Sequence, residues 1–582
     1  MTRNFRQLVA ALIPILGLSV WLQSSPVHAQ YDRLPFSVSE ISPNSQPIMV
    51  DDVMAEQDIT WTIPDEDGKE KKQESKDGTT KWNECTDMCS VCDCECKKTP
   101  KWFPQRVLPP LGFFPVPPKG PGYYSAADFI CGKCEKKRPK FVYSPISPII
   151  FPFFDSNFGY LRGEKPSGLS VFDPLHNIRI GKHWLLSTGG EFRWRYENHI
   201  NDRLSGRNND FHLARTRVYG DLQFKDRFRA YIEFIDAVSL GEELRPLPID
   251  ENRADLLNAF FEVKVANVCG APVYARVGRQ ELLFGSQRLI SPLDWANTRR
   301  TFQGVRLYRT TEKFDIDAFW AVPVLPEESD FDSADTSRNF FGLWATYRPK
   351  KGHTIDGYYL YLDDTRPDRL PGEAFLADQN THTIGTRYVG KKNNWLWDAE
   401  LMMQFGNRGD QDTFAGATSV GLGYHFKNCP MTPTFWVYHA YASGSADPFS
   451  GDNNTFNQLF PFGHYYLGWA DIVGRQNIHD INCHLWFYPT NWITCWLQYH
   501  HFELANDSGP LFNAGGVPIA RDPTGLSGTN VGDEIDIVLN FHLTETSDVF
   551  LGYSKLFAGE FLQGASSGRS PEFFFVQYSF RW

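Results

Sequence analysis

The stretch Glu191-Phe192-Arg193-Trp194-Arg195-Tyr196-Glu197 decides the fold. Every odd position carries a charge and every even position an aromatic ring. An extended strand sends successive side chains to opposite faces, so this segment has one ionic face and one aromatic face. The split recurs downstream. Arg215, Arg217, Tyr219, Asp221 and Gln223 oppose Thr216, Val218, Gly220, Leu222 and Phe224. Arg227, Arg229, Tyr231 and Glu233 oppose Phe228, Ala230, Ile232 and Phe234. Residues 257–265 set Asn258, Glu262 and Lys264 against Leu257, Ala259, Phe261, Val263 and Val265. The chain closes on Phe574-x-Val576-x-Tyr578-x-Phe580-x-Trp582.

A soluble β-sandwich alternates as well, but two features point to a membrane. The periodic runs last about nine to twelve residues, enough to cross a bilayer at a tilt. The charged face also clusters arginine with glutamate, as suits a wet lumen, and aromatic residues gather near strand ends, where interfacial girdles form. The fold class expected is all-β, an antiparallel transmembrane barrel of about 18 strands. The first expected strand covers 183–198 and the last 570–582. Closure removes strand edges that lipid would not tolerate, and a barrel of this size leaves room for an aqueous channel. Short connections such as Lys225-Asp226 and Thr311-Glu312 read as periplasmic turns. Long ones, at 199–210, 238–255, 284–301, 365–380, 445–477 and 506–531, read as outer loops.

Composition agrees. The chain has 582 residues, is 15% aromatic and carries 58 Lys+Arg against 69 Asp+Glu, with a mean hydropathy of −0.39. So many aromatic residues exclude overall disorder. The acidic balance argues against nucleic acid as a partner. Beyond the N-terminus no apolar run reaches the roughly 18 residues of a membrane helix, which leaves a barrel open because its strands average out to polar. Aromatic-rich yet polar is what results if one strand face meets lipid and the other water. The partners expected from this are outer-membrane lipid and a solute in the lumen.

Residues 1–29 read as a secretory signal: Arg3 and Arg6, an apolar run from Leu8 to Leu22, and a small-residue exit at Pro26-Val27-His28-Ala29. The mature chain is expected in the outer membrane. Residues 30–160 form a Cys/Pro-rich, partly disordered region, and residues 161–582 the barrel. The run DEDGKEKKQESKDGTTK at 65–81 is solvated charge. An odd set of the chain's 11 cysteines follows: Cys85, Cys89, Cys92, Cys94, Cys96, Cys131 and Cys134. Two readings stay open. Cys89-x-x-Cys92 with Cys131-x-x-Cys134 has the spacing of a tetrahedral zinc knuckle. Export instead favours disulfides, with an odd thiol left to link another chain or a surface layer. Dense proline from Pro100 to Pro121 suggests a stiff, strand-poor connector.

Two stretches go beyond periodicity: GRQELLFGSQRLISPLDWANTRRTFQGVRL at 278–307 and FNQLFPFGHYYLGWADIVGRQNIHDI at 456–481. With the aromatic C-terminal strand, they resemble the alginate-export family of outer-membrane barrels over about residues 165–582. The resemblance rests on Gly278-Arg279-Gln280, on Arg288, on the Asp294-Trp295 and Arg300 surroundings, and on Asp471 and Arg475. It does not cover residues 30–160. It implies an 18-stranded channel through which a polyanionic polysaccharide such as an alginate-like uronate polymer leaves the periplasm, with lumenal arginines attracting carboxylates.

The residues support that reading independently. Arg193, Arg195, Arg215, Arg217, Arg227 and Arg229 share the polar face of three consecutive strands, with Arg276 on the fifth and Glu233 among the acids between them. Arginine favours anions in pores and pairs well with carboxylate. The bland alternative is a set of Arg–Glu ladders that merely satisfy a wet lumen. Arg279, Arg288 and Arg300 could likewise brace the 284–301 loop, and Asp294 and Trp295 read as loop packing. The competing function is a general anion or nutrient porin of the same fold. No nucleophile elbow, phosphate loop or H-E-x-x-H motif occurs, His500-His501 points its rings to opposite faces, and neither enzyme activity nor a cofactor is expected.

Overall fold

The computed structural model describes residues 102–104, 106–138, 152–156, 158–162, 170–328, 330–366, 378–447 and 451–582. The expected signal, the 65–81 charge run and Cys85 to Cys96 lie outside the described residues.

Eighteen long antiparallel strands close a barrel. They are β1 (Trp184–Ile200), β2 (Asn209–Phe224), β3 (Phe228–Leu240), β4 (Asn252–Val268), β5 (Ala271–Gln280), β6 (Phe302–Thr310), β7 (Phe314–Leu325), β8 (Arg338–Tyr347) and β9 (His353–Asp364). The second half comprises β10 (Gln379–Lys392), β11 (Trp395–Arg408), β12 (Gln411–His425), β13 (Thr434–Ala442), β14 (Ile478–Thr490), β15 (Ile493–Leu504), β16 (Asn530–Thr544), β17 (Ser547–Ala558) and β18 (Glu572–Arg581). Each pairs with its chain neighbour, and β18 pairs with β1 from Glu191↔Arg581 to Ile200↔Glu572. Closure leaves no edge, which is the condition for β-structure in lipid.

Side-chain parity separates outside from inside. Phe192 (39% exposed), Phe234 (52%) and Phe261 (61%) face outward, whereas Glu191, Arg215 and Glu233 are all at 0%. Both ends of the barrel chain lie at the end with short turns, such as Lys225–Arg227 and Cys269-Gly270. Short turns mark the periplasmic side.

Four expectations need correction. Arg227 is not on the inner wall; it stands exposed in the turn before β3, because β3 starts one residue later. Leu257 does not face lipid. Glu233 pairs with Asn258 and Phe234 with Leu256, so Leu257 is the extra residue of a bulge and turns inward against Ile235 and Ala237. The connections at 284–301 and 445–477 are not simply outer loops. Every residue from 281 to 301 is buried, as is every residue from 458 to 469. Both carry too many large apolar side chains to remain in water, Phe284, Leu289 and Trp295 in one and Phe460, Tyr466 and Trp469 in the other. They fold into the lumen and meet there through an Ile290–Phe460 bridge. Finally, the aromatic residues are not only a lipid-facing coat. Many point inward and form one large core cluster with the infolded loops.

The described N-terminal residues join this core. Leu111, Phe113 and Phe114 are buried among inward side chains of the barrel, and Phe153, Phe154 and Phe158 pack on Tyr219, Tyr231 and Phe260. The proline-dense stretch is therefore an insert into the barrel as well as a connector.

Candidate functional site

The candidate site is the lumen, and it has two unlike walls. The ionic wall comes from β1–β5. Arg215 donates to Glu191 at 2.6 and 3.0 Å and to the Asp294 carboxylate at 3.0 Å. Arg217 pairs with Glu233 at 2.6 Å and lies 4.1 Å from the Phe153 ring. Arg229 donates to both oxygens of Asp221 at 2.8 and 3.0 Å and reaches Glu262 at 3.2 Å. Arg276 donates to Glu262 at 2.8 Å, with Phe154 and Phe260 rings 4.4 and 4.2 Å from its guanidinium. Arg195 pairs with Glu197 at 2.6 Å and lies 3.5 Å from the Trp295 ring. An unpaired buried charge costs several kcal/mol, so interleaved acids are what make a guanidinium-rich wall compatible with a filled interior.

This wall also grips the first infolded loop by its main chain. Arg193 donates to the carbonyls of Asp294 (2.6 Å), Trp295 (2.9 Å) and Ala296 (3.0 Å). Arg195 donates to the Trp295 carbonyl at 2.9 Å, and Arg215 to those of Asp294 and Ala296 at 3.0 Å. Buried carbonyls without a strand partner need donors from elsewhere, and the guanidiniums supply them. Within the loop, Arg299 pairs with Glu281 and Asp294. Burial and the nearby Arg217 guanidinium pull Arg299 down to about 10.

The aromatic wall comes from β8–β15. Trp344 stacks on Tyr358 at 4.1 Å, and Trp486 on Trp496 at 4.2 Å. Here the occupant is the insert. Phe113 stacks on His484 at 3.8 Å and on Tyr465 at 4.9 Å. The Trp486 indole donates to the Phe113 carbonyl at 2.7 Å, and the Trp436 indole to that of Phe114 at 2.9 Å. The Phe113 amide donates to the Tyr438 hydroxyl at 2.9 Å, and Arg387 to the Pro110 carbonyl at 2.5 Å. Proline-rich chain has few donors of its own, so its carbonyls are met by the wall. The insert passes Tyr274 near the start of β5, where Phe103 packs at 4.8 Å. It returns to the short-turn end at Val116, whose amide donates to Thr434 at the start of β13.

The remaining motif residues hold loops together. Arg288 pairs with Asp398 and Glu400, each at 2.8 Å. Arg300 donates to carbonyls of both infolded loops, Ser291 at 3.3 Å and Pro461 at 3.2 Å. Arg475 donates to Ser419 at 2.9 Å, and Asp471 sits 2.6 Å from the His464 ring. Arg279 donates to the Leu256 and Asp332 carbonyls at 2.8 Å each. Gln280 is buried where β5 ends. Gly278 has φ 132°, and a Cβ there would lie 2.2 Å from the Ala259 carbonyl oxygen, so only glycine fits. Cys131 and Cys134 are exposed, Cys131 ending the short helix Ala126–Cys131; Cys89 and Cys92 lie outside the described residues.

Sequence reasoning missed the insert, the aromatic wall, Arg387 and the Glu281–Arg299 pair. The signal for the wall was there in stretches such as Phe435-Trp436-Val437-Tyr438, which are apolar at both parities. A strand apolar on both faces needs an apolar partner inside the lumen as well as lipid outside.

Closed strands, a lipid-facing apolar coat and a lumen holding infolded loops define an outer-membrane β-barrel channel. The profile of the alginate export family matches residues 184–576. The chain belongs to that family, and it is a transport channel, not an enzyme. No curated protein matches it in sequence. Among solved structures it is similar to Pseudomonas aeruginosa OccK8 (OprE), at 12% identity and a TM-score of 0.46, covering 68% of this chain and 98% of that one. It is also similar to Pseudomonas aeruginosa OpdQ (11%, TM-score 0.47, covering 68% and 97%) and to OpdK with vanillate (12%, TM-score 0.46, covering 68% and 99%). Likeness this distant says nothing of cargo.

Proposed function

We propose that the barrel exports an anionic, uronate-type polysaccharide across the outer membrane through the arginine-rich side of its lumen. The observation that carries this reading is the set of inward guanidiniums at Arg193, Arg195, Arg215, Arg217, Arg229 and Arg276, gathered on neighbouring strands of an alginate-export barrel. With the loops folded in, these groups hold carboxylates and carbonyls. Arg217, Arg229 and Arg276 keep their pairs with strand acids. Once the insert has left and the 294–296 segment shifts, the donors of Arg193, Arg195 and Arg215 that now hold its carbonyls meet uronate carboxylates, for which a guanidinium fork is well shaped.

Planar-bilayer recording tests the proposal. Open events should prefer anions and be blocked by uronate oligomers, and Arg215→Ala/Arg217→Ala should weaken the block. Equal conductance for both ion signs with no uronate block would overturn it and leave a general porin.

A further inference from the structure

A second feature lies at the short-turn end, away from the ionic wall. A cleft of 820 Å³ opens between the turns that follow β8, β10 and β12 and the returning limb of the insert. Lys119, Lys350, Lys351, Lys391, Lys392 and Lys427 line it, and no described lining residue is a carboxylate. The described lining is basic in a chain whose net charge is −11. His353 and His425 also line it, and Pro117 and Pro118 of the insert form a wall. The cleft reaches the lumen side, because its lining includes Leu396, a member of the interior core, and Val116, tied to β13 at 3.2 Å. A partly enclosed site lined by lysines raises the local concentration of anions.

We infer that this cleft is a capture site for a segment of an anionic glycan, holding its carboxylates on lysine ammonium groups at the periplasmic mouth. Resting on the export reading above, this adds a first contact distinct from the arginine wall. It also gives the insert a role in that contact, because the limb carrying Lys119 is part of the site. A polymer bound there touches the segment that must leave the lumen before passage.

The test uses the full chain in nanodiscs of uncharged lipid, with a fluorescent uronate hexamer and a neutral hexose hexamer as probes. Wild type should bind only the uronate, increasingly weakly as salt rises. Lys350→Gln/Lys392→Gln/Lys427→Gln should weaken binding roughly tenfold, since three exposed pairs of modest strength are lost. In unmutated protein, bound hexamer should slow acylation of Lys350 and Lys427, a readout that does not depend on a variant folding. If wild type binds uronate but neither the triple variant nor the acylation pattern responds, the capture site is wrong while the export reading stands. If wild type binds no uronate, the capture site falls, and the export reading stands or falls with the block of open events. If the triple substitution leaves uronate binding intact but removes binding to vesicles rich in anionic phospholipid, the lysines are lipid contacts and the inference is overturned.

Discussion

The two lumen walls solve the same problem with different chemistry. Each must satisfy the backbone of a segment that has entered the barrel without strand partners. The β1–β5 wall uses charge: Arg193, Arg195 and Arg215 converge on the carbonyls of residues 294–296 while Glu191 and Glu197 hold the guanidiniums in place. The β8–β15 wall chiefly uses neutral donors, with Trp436, Trp486 and Tyr438 bonding the main chain of Phe113 and Phe114 and rings closing around Phe113. Bonds to charged groups contribute about 1.5–3 kcal/mol each and neutral ones about 0.5–1.5. The 281–301 loop is therefore the firmly held occupant, and the insert the releasable one.

The largest effect should come from breaking the ionic wall. Arg215→Ala removes the guanidinium closest to Glu191, at 2.6 Å, and one pair of Asp294, leaving Arg217 at 3.5 and 4.0 Å from the two acids. Removing one member of a buried ion cluster costs about 3–5 kcal/mol. Urea unfolding in detergent should show that loss, together with faster hydrogen exchange at residues 288–298. A change below about 1 kcal/mol would mean that the wall is solvated and weakly coupled to the loop.

On the other wall, Phe113→Ala should loosen the insert and leave the barrel intact. Truncating a fully buried phenylalanine costs about 3–5 kcal/mol, here set against docking of one segment and not against the fold. Exchange at residues 110–116 should rise and single-channel openings become more frequent, while the urea midpoint of the barrel stays put. If the midpoint falls with exchange at the insert, insert and barrel form one cooperative unit and the contrast between the walls is lost.

Legibility in the sequence follows the same divide. The barrel and the ionic wall could be read from parity, because Arg-x-Arg against Phe-x-Tyr permits one assignment of faces. The aromatic wall could not. In β13 both parities are largely apolar, and parity then separates nothing. The insert was hidden for a related reason. Leu111-Gly112-Phe113-Phe114 within a proline run looks like a connector, and only the inward surfaces of distant strands show that it has a place to go. Arg227 and Leu257 show a finer limit, since a turn one residue longer or a bulge reverses a side chain's direction without any local sign of doing so.

A smaller change sharpens the neutral side of the comparison. Trp436→Phe keeps most of the ring surface and deletes one N–H donor to the Phe114 carbonyl. The expected cost to insert docking is about 0.5–1.5 kcal/mol, or roughly a two- to tenfold rise in the open population by the same exchange readout. Trp486→Phe should do the same at the Phe113 carbonyl. An effect several times larger for either would place that indole in the group of firm anchors and weaken the division by charge.

The smallest effect concerns the outer-rim connection between β7 and β8, where the two walls adjoin. Asp332 is buried there beside Asp255 of β4, whose carboxylate accepts its backbone N–H, and Asn252 donates to it at 2.9 Å. Burial, with the Asp255 charge adding to it, pushes the Asp332 carboxyl up to about 7. A docked Asp332 thus keeps its proton where an undocked one, with an ordinary carboxyl near 4, has lost it. The stabilisation is fully present below that ordinary value and is lost as pH rises toward about 7. Exchange at residues 326–335, corrected for intrinsic rate, should therefore quicken between about pH 4 and pH 7. Asp332→Asn cannot ionise, and it should flatten that profile while leaving exchange at 294–296 and 110–116 unchanged. A flat profile in wild type would show that Arg279, 3.7 Å from Asp255 and 3.9 Å from Asp332, keeps both acids ionised. The rim would then be held, like the ionic wall, by charge pairs.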